Sequence, residues 1–581
     1  MNEIKKALNE LKKINGRYGL QNKPIVEFLD GMDKELLCVP IVGAFSSGKS
    51  AAINTLLGYK RKILIENIRP EAAVSAEIQY KFDPQSAETV RVAYADGRHE
   101  EMPLSEYIEG ARDGLDAGSV ASVRLYLENE FFEDIKRVML VDMPGFGSGI
   151  DVHDKAINNY ADSSIAYIIA FPADDLTMRD GVGDILKELS VLNKPVCAMI
   201  TKSDKAPPRE IFRATMETLK KNLAKYIGDR EVKWLETSSK QDNVEDLKKY
   251  LLELQEKSET LLREQKFLPF FGNEADKALI YLRERQKKSG LSESELKEQE
   301  DRLNAEMERL MTKFAELERT FRKDTEQCAE EIADDVRMAL HSDLDDYISM
   351  AMNQTDERRI FESINTTVRV AANKSAQQRF VSKARQFVEN LSAEVALADF
   401  CAAFTADIFG PPSQAGASFD GAFVGSAAAY LAPDAVSASR LASSSWRARL
   451  APFVMIPVVG LVLPKLGLIA AIIGGILIKK KLDKARSELR EQFVSQVFPG
   501  VLQQLQLCVT TTLARKTNEL CTATEQQLQE RKAALEKALT DCRKQRTGEA
   551  GESSRISEEI SADIQTIEGR VKSLEGSGNV K

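Results

Sequence analysis

Several familiar signatures are missing from this chain. Its seven cysteines, Cys38, Cys197, Cys328, Cys401, Cys508, Cys521 and Cys542, include no CxxC pair, and only three histidines occur in 581 residues. That spacing supports neither a zinc site nor a disulfide framework, and reduced thiols are expected. An excess of positive charge is also missing: 80 Lys and Arg against 89 Asp and Glu leave a net charge of −9. Nucleic acid is therefore excluded as a main partner, and any anionic partner must use a local basic patch. The amino terminus runs from Met1 straight into Glu3, Lys5 and Lys6, without the apolar core of a secretory leader, so a cytoplasmic location is expected. The low hydrophobicity that marks disorder is absent too, with 43% hydrophobic and 29% charged residues. At this length one catalytic domain and a second body of comparable mass are expected.

What is present changes character along the chain. Ile4, Leu8, Leu11 and Ile14 draw a short amphipathic helix ending near Gly16 and Gly19. Ile556, Ile560, Ile564, Ile567, Val571 and Leu574 draw another, after a linker at 547–554. Each stripe needs a partner, and the simplest is a bundle joining the two. Between them, 36–252 carries short apolar runs at 36–42, 138–141, 165–171 and 196–200, typical of strands buried on both faces of a parallel sheet. Pro40 is a blemish in the first run, because proline cannot donate to a ladder. This region reads as α/β.

After Leu252 the strands stop. Leu303, Met307, Leu310, Phe314, Leu317 and Phe321 alternate by four and three on a long helix. This seam serves either an intramolecular helix bundle or a dimerising coiled coil. A second long charged helix over 503–543 suggests an out-and-back stalk. The stretch 402–445 is rich in Ala, Ser and Gly and is broken by Gly410-Pro411-Pro412 and Pro433. The expected divisions are a neck helix at 1–35, an α/β domain at 36–252, an outgoing helical trunk at 253–400, an apolar tip at 401–485, a returning helix at 486–546, and a linker with a second neck helix at 547–581.

Three motifs stand at strand ends in a fixed order. Gly43-Ala44-Phe45-Ser46-Ser47-Gly48-Lys49-Ser50 fits GxxxxGK[ST] between an apolar run and a helical pattern. Its backbone N–H groups can wrap phosphates, Lys49 can neutralise the β and γ oxygens, and the Ser50 hydroxyl can hold Mg²⁺. Asp142-Met143-Pro144-Gly145 follows the run 138–141. Asp142 can reach Mg²⁺ through water, and the Gly145 N–H can sense a γ-phosphate. Thr201-Lys202-Ser203-Asp204 follows 196–200. Asp204 can accept from guanine N1–H and N2–H₂, which adenine does not offer, and Lys202 can lie along the base. Ser238 and Ser239, in Thr237-Ser238-Ser239-Lys240, are candidates for a last base-contacting loop. The nucleotide-binding candidates are thus Gly43, Ser46, Ser47, Gly48, Lys49, Ser50, Ala51, Asp142, Gly145, Thr201, Lys202, Asp204, Ser238 and Ser239. GTP or GDP with Mg²⁺ is the expected ligand.

On these motifs and this layout the chain resembles the dynamin superfamily, specifically bacterial dynamin-like proteins. The resemblance spans the whole arrangement of helix, GTPase domain, long stalk, apolar tip and returning helix. It implies hydrolysis of GTP when two GTPase domains face each other, self-association through that domain and the stalk, and bending, tethering or fusion of bilayers. It further implies that Ser46 helps hold a charge-compensating monovalent cation, which makes Lys49 and Ser46 the catalytic candidates. One departure stands out. The family's first switch places a threonine shortly after a proline, whereas here Pro70-Glu71-Ala72-Ala73-Val74-Ser75 has alanine there. Loss of that hydroxyl removes a metal ligand and a γ-phosphate latch, so slow hydrolysis is expected. Downstream of Asp142, His153 reads as a solvated histidine.

The run 454–478 is long enough to span a bilayer, but Pro457, Pro464, Lys465 and Gly474-Gly475 interrupt it. A shallow or re-entrant tip fits better than a span. Over 440–486, Arg440, Arg447, Arg449, Lys465, Lys479, Lys480, Lys481, Lys484 and Arg486 face a single acid, Asp483. Such cations bordering an apolar segment attract anionic headgroups, and Trp446 suits the interface. The alternative is a buried hairpin with solvated lysines. The reading is a GTP-binding protein acting peripherally at a membrane; the rival is a GTP-binding scaffold or secretion accessory factor without steady turnover.

Overall fold

The computed structural model describes residues 2–65, 74–83, 85–94, 96–110, 115, 119–145, 160, 163–178, 180–192, 194–228, 230–288, 291–353, 357–397, 482–545 and 550–576. Residues 401–481 of the tip expected at 401–485, His153 and the stretch Pro70 to Ala73 fall outside them.

Two helices, α1 (Asn2–Arg17) and α2 (Lys23–Met32), precede the sheet. Among the described residues one sheet has nine strands: β1 (Leu37–Gly43), β2 (Ala76–Tyr80), β3 (Thr89–Tyr94), β4 (His99–Pro103), β5 (Val120–Leu127), β6 (Val138–Asp142), β7 (Tyr167–Pro172), β8 (Val196–Thr201) and β9 (Lys233–Glu236). Their order is β4-β3-β5-β2-β6-β1-β7-β8-β9. The run β6-β1-β7-β8-β9 is parallel, while β2 lies antiparallel to β6, and β3 antiparallel to both β5 and β4. The helices among these strands are α3 (Lys49–Leu57), α4 (Leu104–Glu109), α5 (Glu130–Asp134), α6 (Asp180–Val191), α7 (Arg209–Ile227) and α8 (Glu245–Leu262).

All four apolar runs form central parallel strands, and Val39, Ile41, Val138, Leu140, Ile168 and Cys197 are fully buried in the core of one face. The antiparallel extension β3-β4-β5 has no such run. On β5 only alternate positions are buried, so it reads weakly as sequence. Pro40 sits in the centre of the sheet after all. Its β6 partner is Val141, but on the β7 side the ladder lapses between the Cys38–Ser164 bridge and Ile41. A residue with no N–H is tolerated in such a gap.

The helical body begins where α8 runs past Leu252 to Leu262 and continues through a π-helical turn, Arg263–Phe267, into α9 (Leu268–Lys288). Then come α10 (Glu293–Ser342), α11 (Leu344–Met352), α12 (Glu357–Leu397), α13 (Leu482–Gln492), α14 (Phe498–Gln545) and α15 (Ala550–Gly576). Ser292 starts α10 with a capping box, accepting from the Glu295 N–H while the Glu295 carboxylate accepts from the Ser292 N–H. The seam residues Leu303, Met307, Leu310, Phe314 and Phe321 are buried against α12 and α14 of the same chain. Phe321 stacks on Phe387 at 5.0 Å. The seam therefore serves the intramolecular bundle. No helix among the described residues is long and apolar enough to cross a membrane.

A separate neck core joins Ile4, Leu8, Leu11 and Ile14 to Ile560, Ile564 and Ile567, with Phe267, Phe271 and Tyr281 between them. Arg570 donates twice to the Glu10 carboxylate at 2.7 Å, and Tyr18 donates to Asp563 at 2.8 Å. Helix α15 begins at Ala550, inside the stretch 547–554 that the sequence suggested as linker. Arg137, at the start of β6, ties neck to sheet: its guanidinium donates to the carbonyls of Met32, Asp33 and Glu35 at 2.8, 3.0 and 3.1 Å.

Candidate functional site

Strand β1 has β6 on one side and β7 on the other, so the loop leaving it opens at the point where connections diverge, the usual crevice for a ligand in a parallel sheet. Residues 44–48 form that loop, and α3 starts at Lys49 with its free N–H groups facing the crevice. Gly48 is left-handed at φ 87°, a conformation glycine takes without steric cost. Ser46, at φ 59°, adopts a similar conformation with a side chain. Such backbone strain in a functional loop is held by its surroundings. Here Ser47 is fully buried, and the Thr201 hydroxyl donates to its carbonyl.

Lys49 is buried and donates to the carbonyls of Gly43 and Ala44 at 3.4 and 3.2 Å. Burial pulls its pKa down, opposed by the nearby Asp142 carboxylate. Burial likewise pushes Asp142 up, opposed by Lys49 and by a hydrogen bond from Ser50. Both charges are thus costly where they stand, and a polyanion beside Lys49 or a cation beside Asp142 would relieve them. The Ser50 hydroxyl donates to Asp142 Oδ2 at 2.5 Å, and Asp142 Oδ1 is buried with no hydrogen-bond partner among the described residues. Two hard oxygens side by side, one unsatisfied, fit Mg²⁺. When bound, that ion would supply charge neutralisation to the β and γ oxygens of a nucleotide.

Gly145 lies against the same loop. A Cβ placed there would come within 2.6 Å of Phe45 Cα and 2.7 Å of Phe45 N, so only glycine permits this approach. The loops after β1 and β6 are therefore packed backbone to backbone.

The loop after β8 lies alongside. Lys202 is left-handed at φ 54°, and Asp204 stands in a 3-10 turn, Ser203–Lys205. Ser238, buried, donates to Asp204 Oδ1 at 2.6 Å, and this hydrogen bond holds the Asp204 carboxyl below the usual carboxylate range. Ser239 begins the next 3-10 turn, which Ser238 caps by accepting from the Gln241 N–H. Thr201 is 2% exposed, and its hydroxyl is committed to Ser47 O and Phe171 O. It joins the two loops rather than facing a base. Ala51 lies in the first turn of α3, and its carbonyl accepts from Thr55.

Asn54 has no motif to announce it. Its amide donates to the Leu64 carbonyl at 2.8 Å and accepts from the Leu64 N–H at 2.9 Å, pinning the segment that leads toward residue 70 onto α3. Glu77, 5% exposed, accepts from Tyr160 at 2.8 Å and from Arg124 at 2.5 Å. Only the contact pattern, not the sequence, could single out either residue.

Residues 39–203 match the family model described as Dynamin family. The chain carries a dynamin-family GTPase domain. This dynamin-family domain implies GTP and GDP as ligands, usually with Mg²⁺. No curated protein matches the chain. Among solved structures it is similar to one of an oligomerised bacterial dynamin pair, described as a mechanism for long-range sensing and tethering of membranes. Identity there is 15%, coverage 100% of this chain and 81% of that one, and the TM-score 0.43. It is similar to LeoA, a bacterial dynamin GTPase from ETEC, at 14% identity, covering 99% and 98% of the two chains with a TM-score of 0.31. It is also similar to Era from Aquifex aeolicus bound to GDP and AlF4⁻, at 15% identity over 42% and 68%, TM-score 0.22.

Proposed function

We propose that this protein binds GTP with Mg²⁺ in the crevice above β1, hydrolyses it slowly, and works at a membrane surface as a bacterial dynamin-like protein. The observation that carries the nucleotide reading is the pairing of Asp204 with Ser238 beside the Lys49, Ser50 and Asp142 cluster. A carboxylate held ionised by Ser238 suits the two N–H donors on guanine's edge. In this reading Gly43 to Ala51 cradle the phosphates, Gly145 senses the γ-phosphate, and Ser46 helps to hold a monovalent cation. Self-association through the GTPase domain and stalk would complete the hydrolytic site.

The membrane part rests on the contrast between an acidic chain and the basic, apolar segment 440–486. Flotation with anionic liposomes tests it. The wild type should float, and a variant with Lys479, Lys480 and Lys481 changed to glutamate should float less; equal flotation would remove the basis for the reading.

Ala72 and Ala73, where a threonine hydroxyl would complete the metal shell, favour a second reading: a GTP-binding scaffold without steady turnover. Phosphate release measured against protein concentration, with and without liposomes, separates the two. Release that rises with concentration or lipid supports the GTPase; release that stays at background under every condition supports the scaffold.

A further inference from the structure

Helix α12 carries two kinds of buried face. Ile360, Ile364, Val368 and Ala372 recur every four residues and belong to the trunk core. Beside them Asn365, Thr366, Arg369 and Asn373 are polar, yet none is more than 5% exposed. These four lie within about one turn of Arg369 on one side of the helix. Arg369 Nε donates to Glu188 Oε1 at 2.7 Å, and the two side chains are 4% and 1% exposed. Glu188 belongs to α6, in the GTPase domain. The polar side of α12 is therefore where the trunk meets that domain.

The chemistry of this contact differs from that of the rest of the trunk. A buried ion pair adds little over a well-packed apolar pair, but removing one partner strands a charge in a dry interior. Polar groups of this kind suit surfaces that part, because water can satisfy them once they separate. Three of them are poorly served while shut: Asn365 Oδ1, Thr366 Oγ1 and Asn373 Oδ1 have no hydrogen-bond partner among the described residues. One turn before Glu188, Asp184 is also half-covered, with burial raising its pKa against the pull of Lys187 and Arg369. Helix α6 leads directly into β8, at whose end Asp204 stands, so movement of α6 bears on the nucleotide crevice.

We infer that the contact between α6 and α12 is a separable latch that holds the GTPase domain against the trunk, with Glu188 and Arg369 as its releasing pair. The latch stands whether or not the protein meets a membrane, and its test needs no nucleotide.

The test uses the full chain carrying Thr366→Cys, a substitution of similar size at a position 1% exposed, and follows alkylation of that thiol by mass spectrometry. Adding Arg369→Ala should speed alkylation on the order of a hundredfold, the effect of breaking a buried pair. Exchanging the charges, with Glu188→Arg and Arg369→Glu together, should return it close to the parent rate. An unchanged rate in Arg369→Ala, or no recovery in the exchanged pair, would overturn the inference. If Arg369→Ala loses helicity by circular dichroism, the Thr366→Cys parent decides. Labelling that is insensitive to low urea indicates local opening, whereas labelling that tracks global unfolding refutes the latch.

Discussion

Changing Asp204 to asparagine should transfer the protein's preference from guanine to xanthine. Asp204 accepts from Ser238 at one oxygen, which leaves the carboxylate oriented and ionised for a base. Guanine would offer N1–H and N2–H₂ to it, two charge-assisted hydrogen bonds worth about 1.5 to 3 kcal/mol each. Asparagine keeps one acceptor and turns the other position into a donor that faces the exocyclic amine. The expected loss is that of one such bond, about tenfold to a hundredfold in GTP affinity. Xanthine carries a carbonyl where guanine carries that amine, so the asparagine N–H₂ gains an acceptor and XTP should bind the variant better than GTP does. Isothermal titration of wild type and variant with GTP, XTP and ATP in magnesium measures all of this. Unchanged GTP affinity in Asp204→Asn would refute the placement of the base, and ATP binding the wild type as tightly as GTP would refute guanine recognition altogether.

Other perturbations test the surrounding parts. Because Ser238 depresses the Asp204 pKa, the ionised carboxylate and its contribution to GTP binding should persist above that lowered value and vanish only as pH falls through it. Ser238→Ala should move this midpoint upward and weaken GTP binding by about 1 kcal/mol at neutral pH, readable by titration across a pH series. Lys49→Ala should abolish nucleotide binding in fluorescence titration while leaving the circular dichroism unchanged, since the hydrogen bonds of Lys49 to its own loop are long, 3.2 to 3.5 Å. Arg137→Met should cost about 3 to 5 kcal/mol of the attachment of α2 to the sheet, because three carbonyls lose a charged donor. Faster hydrogen exchange over 23–35 would register it. The Asp33 ion pair contributes little to this figure, since Asp33 is 60% exposed.

The parts of the fold that were legible in the sequence are those written in apolar runs or heptads. Val39 and Ile41 on β1, Leu140 on β6 and Ile168 on β7 announce the parallel strands because both faces of each strand are covered. The α10 seam announces a long packed helix because Leu303 to Phe321 keep one face apolar. Strand β4 was hidden, since His99, Glu100 and Glu101 are exposed and supply no hydrophobic alternation, and β3 alternates over only two buried residues, Val90 and Val92, too short a pattern to stand out. At the site, residue types at strand ends pointed to Lys49, Ser50, Asp142 and Asp204. The backbone geometry at Ser46 and Lys202, the commitment of Thr201 to the Ser47 carbonyl, and the Asn54 hook depend on contacts between distant segments. No local pattern encodes those contacts. The ion pair of Arg369 with Glu188 bridges a separation of 181 residues and is invisible for the same reason.

The neck bundle is completed late in folding, because it needs helices from distant parts of the chain. Helix α1 is made early, but the surface that receives Ile4, Leu8 and Leu11 includes Ile560, Ile564 and Ile567 on α15, which leaves the ribosome only after the sheet and trunk have been built. Until then the apolar stripe of α1 has only part of its cover, from α2 and α9, and incompletely covered apolar surface is what makes nascent chains attract chaperones or aggregate. The GTPase domain can condense as soon as its own strands are out, whereas the clasp at its base waits for the last of the helices it needs.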